Sequence, residues 1–254
     1  MTFTVLLPLL LGWLAGWGIN YLADALPVTR RFTRPHCSHC RNPYKWKEYL
    51  LFSNCTTCGK RRSLRSLLAQ AVLAVSPVLI WLFPNPRLPF ILALILLAFL
   101  TLVLVIDIEH RLILHPVSWV GAGLGLVIGT TLNGYGTTLK AGLLNTLLGG
   151  AFGFGVMLIF YFIGEAYVRY MAKKRGLPSD EVALGFGDVN LSGILGMLLG
   201  WPVIVAGLFF AILAGGLVSL GIVVKMLISK NYKAFTAIPY APFLILAAIF
   251  LIYL

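Results

Sequence analysis

Apolar residues run along this chain in long blocks separated by short polar ones. The block lengths are close to the ~20 residues that a helix needs to cross a bilayer. Eight blocks stand out, over residues 4–26, 66–83, 89–107, 116–133, 141–165, 189–200, 203–225 and 237–254. The sixth is too short to cross alone, and Trp201-Pro202 marks its end. The pattern predicts an all-α polytopic membrane protein of about eight transmembrane helices with a cysteine-rich polar loop. Three parts follow from it: a first helix over 1–27, a basic loop over 28–65, and a membrane core over 66–254. No internal repeat is evident.

Composition agrees. With 59% hydrophobic and 11% charged residues, the chain has too little polar surface for a soluble fold. A net charge of +12 would suggest nucleic acid if it were gathered on one folded face. Instead the charges lie in the loops, so no nucleic-acid partner is expected, and anionic lipid head groups are the natural neighbours of the basic residues. With the N-terminus outside, the segments 27–65, 108–115, 166–188 and 226–236 face the cytoplasm. Of the 20 Lys and Arg, only Arg87 and Lys140 then fall on the outer side. The reverse orientation would violate the positive-inside rule. Ala23-Asp24-Ala25 imitates a signal-peptidase site, but no Lys or Arg precedes the first apolar block and a basic one follows it. That polarity suits a retained first span.

Within that span Gly12, Gly16 and Asn20 recur every four residues and share a helical face. Small residues at this spacing favour close helix packing, and Asn can hydrogen-bond across the contact.

Cys37-Ser-His-Cys40 and Cys55-Thr-Thr-Cys58 form two CxxC pairs. Four thiolates at this spacing can close a tetrahedral zinc site. A cytoplasmic location disfavours disulfides. A reduced metal-free loop and a redox pair are the alternatives, and His36 and His39 are adjacent donors. A four-Cys site leaves no open coordination position, so its zinc would be structural and would order the loop.

Of the eight acidic residues, Glu48, Asp180 and Glu181 fall in loops. Asp24 and Glu165 stand near helix ends, where loop arginines can pair with them. Glu109 lies two residues beyond Asp107 and points elsewhere if the helix continues. Asp107 and Asp188 remain, both at the cytoplasmic boundary of an apolar block. Acids entering a membrane are costly and carry function. Two carboxylates sharing a desolvated site titrate as a pair, which suits general acid–base hydrolysis of a peptide. The residues alone serve equally well for a proton relay or a transporter.

One resemblance separates these uses. Gly12-x3-Gly16-x3-Asn20-x6-Pro27, the double CxxC loop, the run from Asp107 to Pro116, Gly185-Phe-Gly-Asp188 and Ile238-Pro239-Tyr-Ala-Pro242 occur in that order. Together they resemble the type IV prepilin peptidases, membrane aspartic proteases of the GxGD class. The resemblance implies that Asp107 and Asp188 form a catalytic dyad, with Gly185 and Gly187 as close-approach backbone around it. It implies a bacterial cytoplasmic (inner) membrane enzyme that cuts the basic leader from prepilins or pseudopilins, whose apolar helix lies beside it in the bilayer. Many members also methylate the new N-terminus with S-adenosylmethionine. This chain departs from the pattern at Gln70, where a glutamate linked to methyl transfer would stand, and at Asn190, where a lysine is usual.

Overall fold

The computed structural model describes residues 2–37, 39–40, 42–175, 184–229 and 239–253. Within them lie nine helices: α1 (Thr2–Thr29), α2 (Trp46–Leu50), α3 (Leu64–Leu82), α4 (Phe90–His110), α5 (His115–Gly134), α6 (Leu139–Arg175), α7 (Phe186–Leu199), α8 (Val203–Ile228) and α9 (Ala241–Tyr253). No strand occurs among the described residues, only an isolated antiparallel bridge between His36 and Pro43. Six helices, α1, α3, α4, α5, α6 and α8, are long and apolar enough to cross a membrane. The other two apolar helices, α7 and α9, are shorter. Large apolar side chains such as Leu7, Leu144, Ile159 and Leu217 stand exposed along these helices, as lipid-facing positions do. The chain is a multi-pass membrane protein. Arg41, Asp180, Glu181, Lys230, Lys233 and Ile238, on which parts of the sequence reading fall, lie outside the described residues.

The helices group into two compact units, Met1–His110 and Arg111–Leu254. In the first, α1 packs on α3 and α4. The contact is close because α1 presents its small-residue face. A Cβ on Gly12 would collide with the Leu73 carbonyl, and one on Gly16 would lie 2.6 Å from Gln70 Oε1. Asn20, one turn further on, is buried and donates to the Ser66 carbonyl at 3.1 Å. In the second unit α7 is the central helix, touching α5, α6, α8 and α9. Its Val189, Leu191, Leu195 and Leu198 are all but inaccessible. At about 1.5 Å per residue its 14 residues fall short of a ~30 Å hydrocarbon core. A helix walled in by protein need not span, because its ends meet protein groups rather than lipid. Asn133 secures one end, donating to the Met197 carbonyl at 3.1 Å and to Thr146 Oγ1 at 2.9 Å. Ser192 Oγ donates to the Gly153 carbonyl at 2.9 Å. Gly200, at φ 71°, caps the helix where a side chain would run into Asn133.

Helix α6 departs from the expected block over 141–165. It continues through Arg169, Lys173 and Lys174 to Arg175, 37 residues in all. Nothing between Glu165 and Arg175 breaks a helix, and Glu165 pairs with Arg169 one turn on. The hydrophobic block marks the membrane, whereas the helix outlasts it.

Candidate functional site

The first unit carries the cysteines. The four Sγ atoms of Cys37, Cys40, Cys55 and Cys58 lie within 4.8 Å of one another. Two cross-pairs, Cys37–Cys58 and Cys40–Cys55, are each 3.7 Å apart. Tetrahedral zinc with Zn–S bonds near 2.3 Å requires sulfurs about 3.8 Å apart, so the donor set fits the ion. The fit needs neither His36 nor His39. Burial opposes ionisation of Cys37, but hydrogen bonds from the Cys40 and His39 backbone and from the Tyr44 and Cys40 side chains lower it to about 6. Cys55 is lowered too, chiefly by backbone hydrogen bonds at Cys58 and Thr57. Cys40 moves the other way, pushed up to about 11 against its thiol neighbours, so in the metal-free cluster the thiolate character, the form that binds metal, gathers on Cys37 and Cys55.

The knuckle is tied to the helices through aromatic residues and one arginine. Tyr44 and Tyr49 stack at 5.9 Å between centroids. Tyr49, 1% exposed, donates its hydroxyl to Asp24 Oδ2 at 2.6 Å. Burial, and after it the Asp24 charge, push that phenol up, so it stays a donor. Arg62 lies 4.0 Å above the Tyr49 ring, donates to the Tyr49 carbonyl at 2.9 Å and pairs with Asp24 at 3.3 Å. Arg65 bridges Asp24 and Glu109. A cavity of about 780 Å³ opens here, lined by Asp24, His36, Tyr44, Arg62, Arg65 and Glu109 among others. The sequence pattern did not single out Tyr44 or Tyr49, and placed Arg62 only among the basic residues facing lipid head groups. The only signal was two tyrosines within a loop that has little else to bury.

Asp107 lies in the last turn of α4 and is 5% exposed. The helix does continue past it to His110, which turns Glu109 away toward Arg65. Gly185, at an ordinary φ of −70°, is the N-cap of α7, and its carbonyl accepts from the Asp188 backbone N–H at 3.0 Å. Asp188 is thus the third helical residue, half-buried, where the N-terminal end of the helix dipole favours a negative group. Asp107 meets the opposite end of its own helix dipole. Gly187 has no room for a side chain, since a Cβ there would lie 2.7 Å from Ile113 Cβ. At Gly185 a Cβ would make ordinary contact, 3.5 Å from Asp188 Oδ2. Tyr240, just before α9, lies within electrostatic reach of Asp188.

Two residues from the pattern do not gather at these acids. Asn190 lies two positions, about 200°, around α7 from Asp188. It lines a separate apolar groove of about 430 Å³ with His115, Ser118, Phe186 and Met197. Gln70 is 3% exposed in the α1–α3 seam, one turn below Ser66.

The family profile described as Type IV leader peptidase family matches residues 94–220, half of the chain, with Asp107 and Asp188 inside the match. The chain belongs to the type IV leader peptidase family. It is a membrane peptidase, and the transporter or proton-relay alternative falls away. A relative from Aeromonas hydrophila, named prepilin leader peptidase/N-methyltransferase, is 25% identical over 231 residues, covering 88% of this chain and 72% of the relative. That alignment extends well beyond the 94–220 core. No solved structure matches the chain.

Proposed function

We propose that the enzyme removes the basic leader from a type IV prepilin or pseudopilin at the cytoplasmic face of a bacterial inner membrane, with Asp107 and Asp188 as its catalytic pair. The observation that carries the reading is that these two acids, both within the family match, stand at opposite ends of the dipoles of their helices. Asp188, at a helix N-terminus, starts ionised and takes a proton from water. Asp107, buried in a last helical turn, starts protonated and gives its proton to the scissile carbonyl oxygen as the water oxygen attacks carbon. The tetrahedral diol then collapses: ionised Asp107 takes a proton back from a diol hydroxyl, the C–N bond breaks, and the leaving amine takes the proton held by Asp188, which restores both acids to their starting states. The loop charges support an N-terminus outside and both acids at the cytoplasmic boundary. The substrate's apolar helix follows the cleavage site and lies in the bilayer.

Zinc is the structural ion of this reading, held by the four cysteines. Methyl transfer from S-adenosylmethionine is supported by the relative's name but not by the described residues. Both carboxylates lining the large cavity, Asp24 and Glu109, are already ion-paired, and Gln70 is neutral and faces the α1–α3 seam. The reading is therefore a peptidase, with no built site for a cationic methyl donor among the described residues.

The test is co-expression with a prepilin. Asp107→Asn and Asp188→Asn should each leave the precursor uncut while the enzyme accumulates normally. Mature pilin from both variants would overturn the assignment. The mass of the wild-type product's N-terminus reports methylation, and an unmethylated amine is expected.

A further inference from the structure

Arg65 begins the first turn of α3 and holds two other helices. Its Nη2 donates to Asp24 Oδ1 of α1 at 2.5 Å, and its Nε donates to Glu109 Oε1 of α4 at 2.8 Å. Nη1 reaches Asn20 Oδ1 at 3.5 Å. Single exposed ion pairs contribute little. Here the side chains are only 20% (Arg65), 17% (Asp24) and 30% (Glu109) exposed, and one rigid guanidinium fork serves both carboxylates. Asp24 is itself braced by Tyr49 and Arg62, so the clamp has a fixed base.

What the clamp grips is the end of α4. The carbonyls of a last helical turn lack partners further along the helix, and such turns fray. The chain leaves α4 through Arg111 at φ 50°, a conformation in which no helix can continue. Glu109 sits in that turn, two residues beyond Asp107. A bond from α3 to Glu109 therefore restrains the turn that carries the acid.

We propose that Arg65 is a positioning residue for leader cleavage: by bridging Asp24 and Glu109 it fixes the terminal turn of α4 and, through it, the Asp107 carboxyl. The inference rests on the reading of Asp107 as a catalytic acid. Arg65 touches no reacting atom. Its effect is on turnover rather than on capture of the substrate.

The test uses purified full-length enzyme in lipid nanodiscs and a prepilin substrate, with kcat and KM measured separately. Arg65→Gln and Glu109→Gln should each lower kcat about ten-fold or more, the scale of a sub-ångström misplacement of a catalytic group, with KM within about two-fold. The double variant should be no worse than Arg65→Gln alone, because Arg65→Gln already removes the bond to Glu109. Arg65→Lys should recover little, since an ammonium cannot span both carboxylates. Backbone hydrogen exchange over 106–110 should accelerate in each variant. Glu109→Gln keeps the Arg65–Asp24 pair, so it carries the test if Arg65→Gln fails to accumulate. Wild-type kcat in Glu109→Gln, or additive losses in the double variant, overturns the proposal. Asp107→Asn is measured alongside. Normal cleavage by that variant overturns the catalytic reading itself, whereas an inactive Asp107→Asn with a fully active Glu109→Gln overturns only the clamp.

Discussion

Gln70 donates from Nε2 to the backbone carbonyl of Trp13 at 2.8 Å, across the seam between α3 and α1. Its Oε1 accepts from Asn20 Nδ2 at 3.3 Å. The position needs one donor and one acceptor at once, which an amide supplies and an ionised carboxylate cannot. Gln70→Glu keeps the shape but strips the Trp13 carbonyl of its donor and brings a charge into a buried seam. The expected cost is about 1–3 kcal/mol for the lost buried hydrogen bond, read as a lower unfolding temperature in detergent. Unchanged stability would mean that the seam does not depend on the amide. Product mass from the same variant shows whether the carboxylate brings any methylation.

The cysteine cluster predicts a metal dependence that weakens with acid. In the metal-free cluster Cys37 is held down to about 6, below the usual thiol range, and a bound zinc would hold its thiolate lower still. Zinc should copurify at one ion per chain at pH 7 to 8, remain after dialysis there, and leave as the buffer is acidified, since bound thiolates must be protonated to release it. Elemental analysis across the titration checks this. Cys37→Ser with Cys55→Ser should abolish the zinc. Retention of the same zinc content in that double variant would refute the site.

How much of this was legible in the chain differs by feature. The apolar blocks could be read because bilayer thickness imposes a length on them. Asp107 and Asp188 stand out because acids are so scarce in those blocks, and the catalytic role proposed for them rests on that and on the family pattern. The Cys37–Cys58 spacing carried its own geometry. The extension of α6 to Arg175 was hidden by treating the end of hydrophobicity as the end of the helix, although the first breakers, Gly176 and Pro178, come only afterwards. That Asp24 pairs with arginines beyond its helix end could be read, but that Arg65 also takes Glu109 could not. The clamp joins three helices, and periodicity carries no information about which polar groups meet across them.

The two glycines before Asp188 should respond differently to an added methyl group. A Cβ on Gly187 would lie only 2.7 Å from Ile113 Cβ, so Gly187→Ala forces the start of α7 away from the residues leading into α5. Overpacking of this kind costs about 1–3 kcal/mol, and cleavage should fall with stability because Asp188 is the next residue. At Gly185 the backbone is ordinary and the methyl would rest 3.5 Å from Asp188 Oδ2. Gly185→Ala should leave the unfolding temperature unchanged. Thermal unfolding of both variants in one detergent checks the contrast, and equal destabilisation would contradict it.

Asn190 stands where the family usually has lysine, close to Asp188 in sequence. A helix turns about 100° per residue, so the two side chains leave α7 on opposite faces. Asn190 enters the apolar groove beside His115 and Phe186, whereas Asp188 lies near Tyr240. A lysine at 190 would lay its carbon stem along the groove and carry its ammonium toward the polar end, as long cations near helix ends do. Its charge would then be separated from Asp188 by the body of the helix. Asn190→Lys should therefore leave kcat within about two-fold and the pH profile of cleavage superimposable on that of the wild type. A displaced profile would show that the 190 position acts on the acid after all.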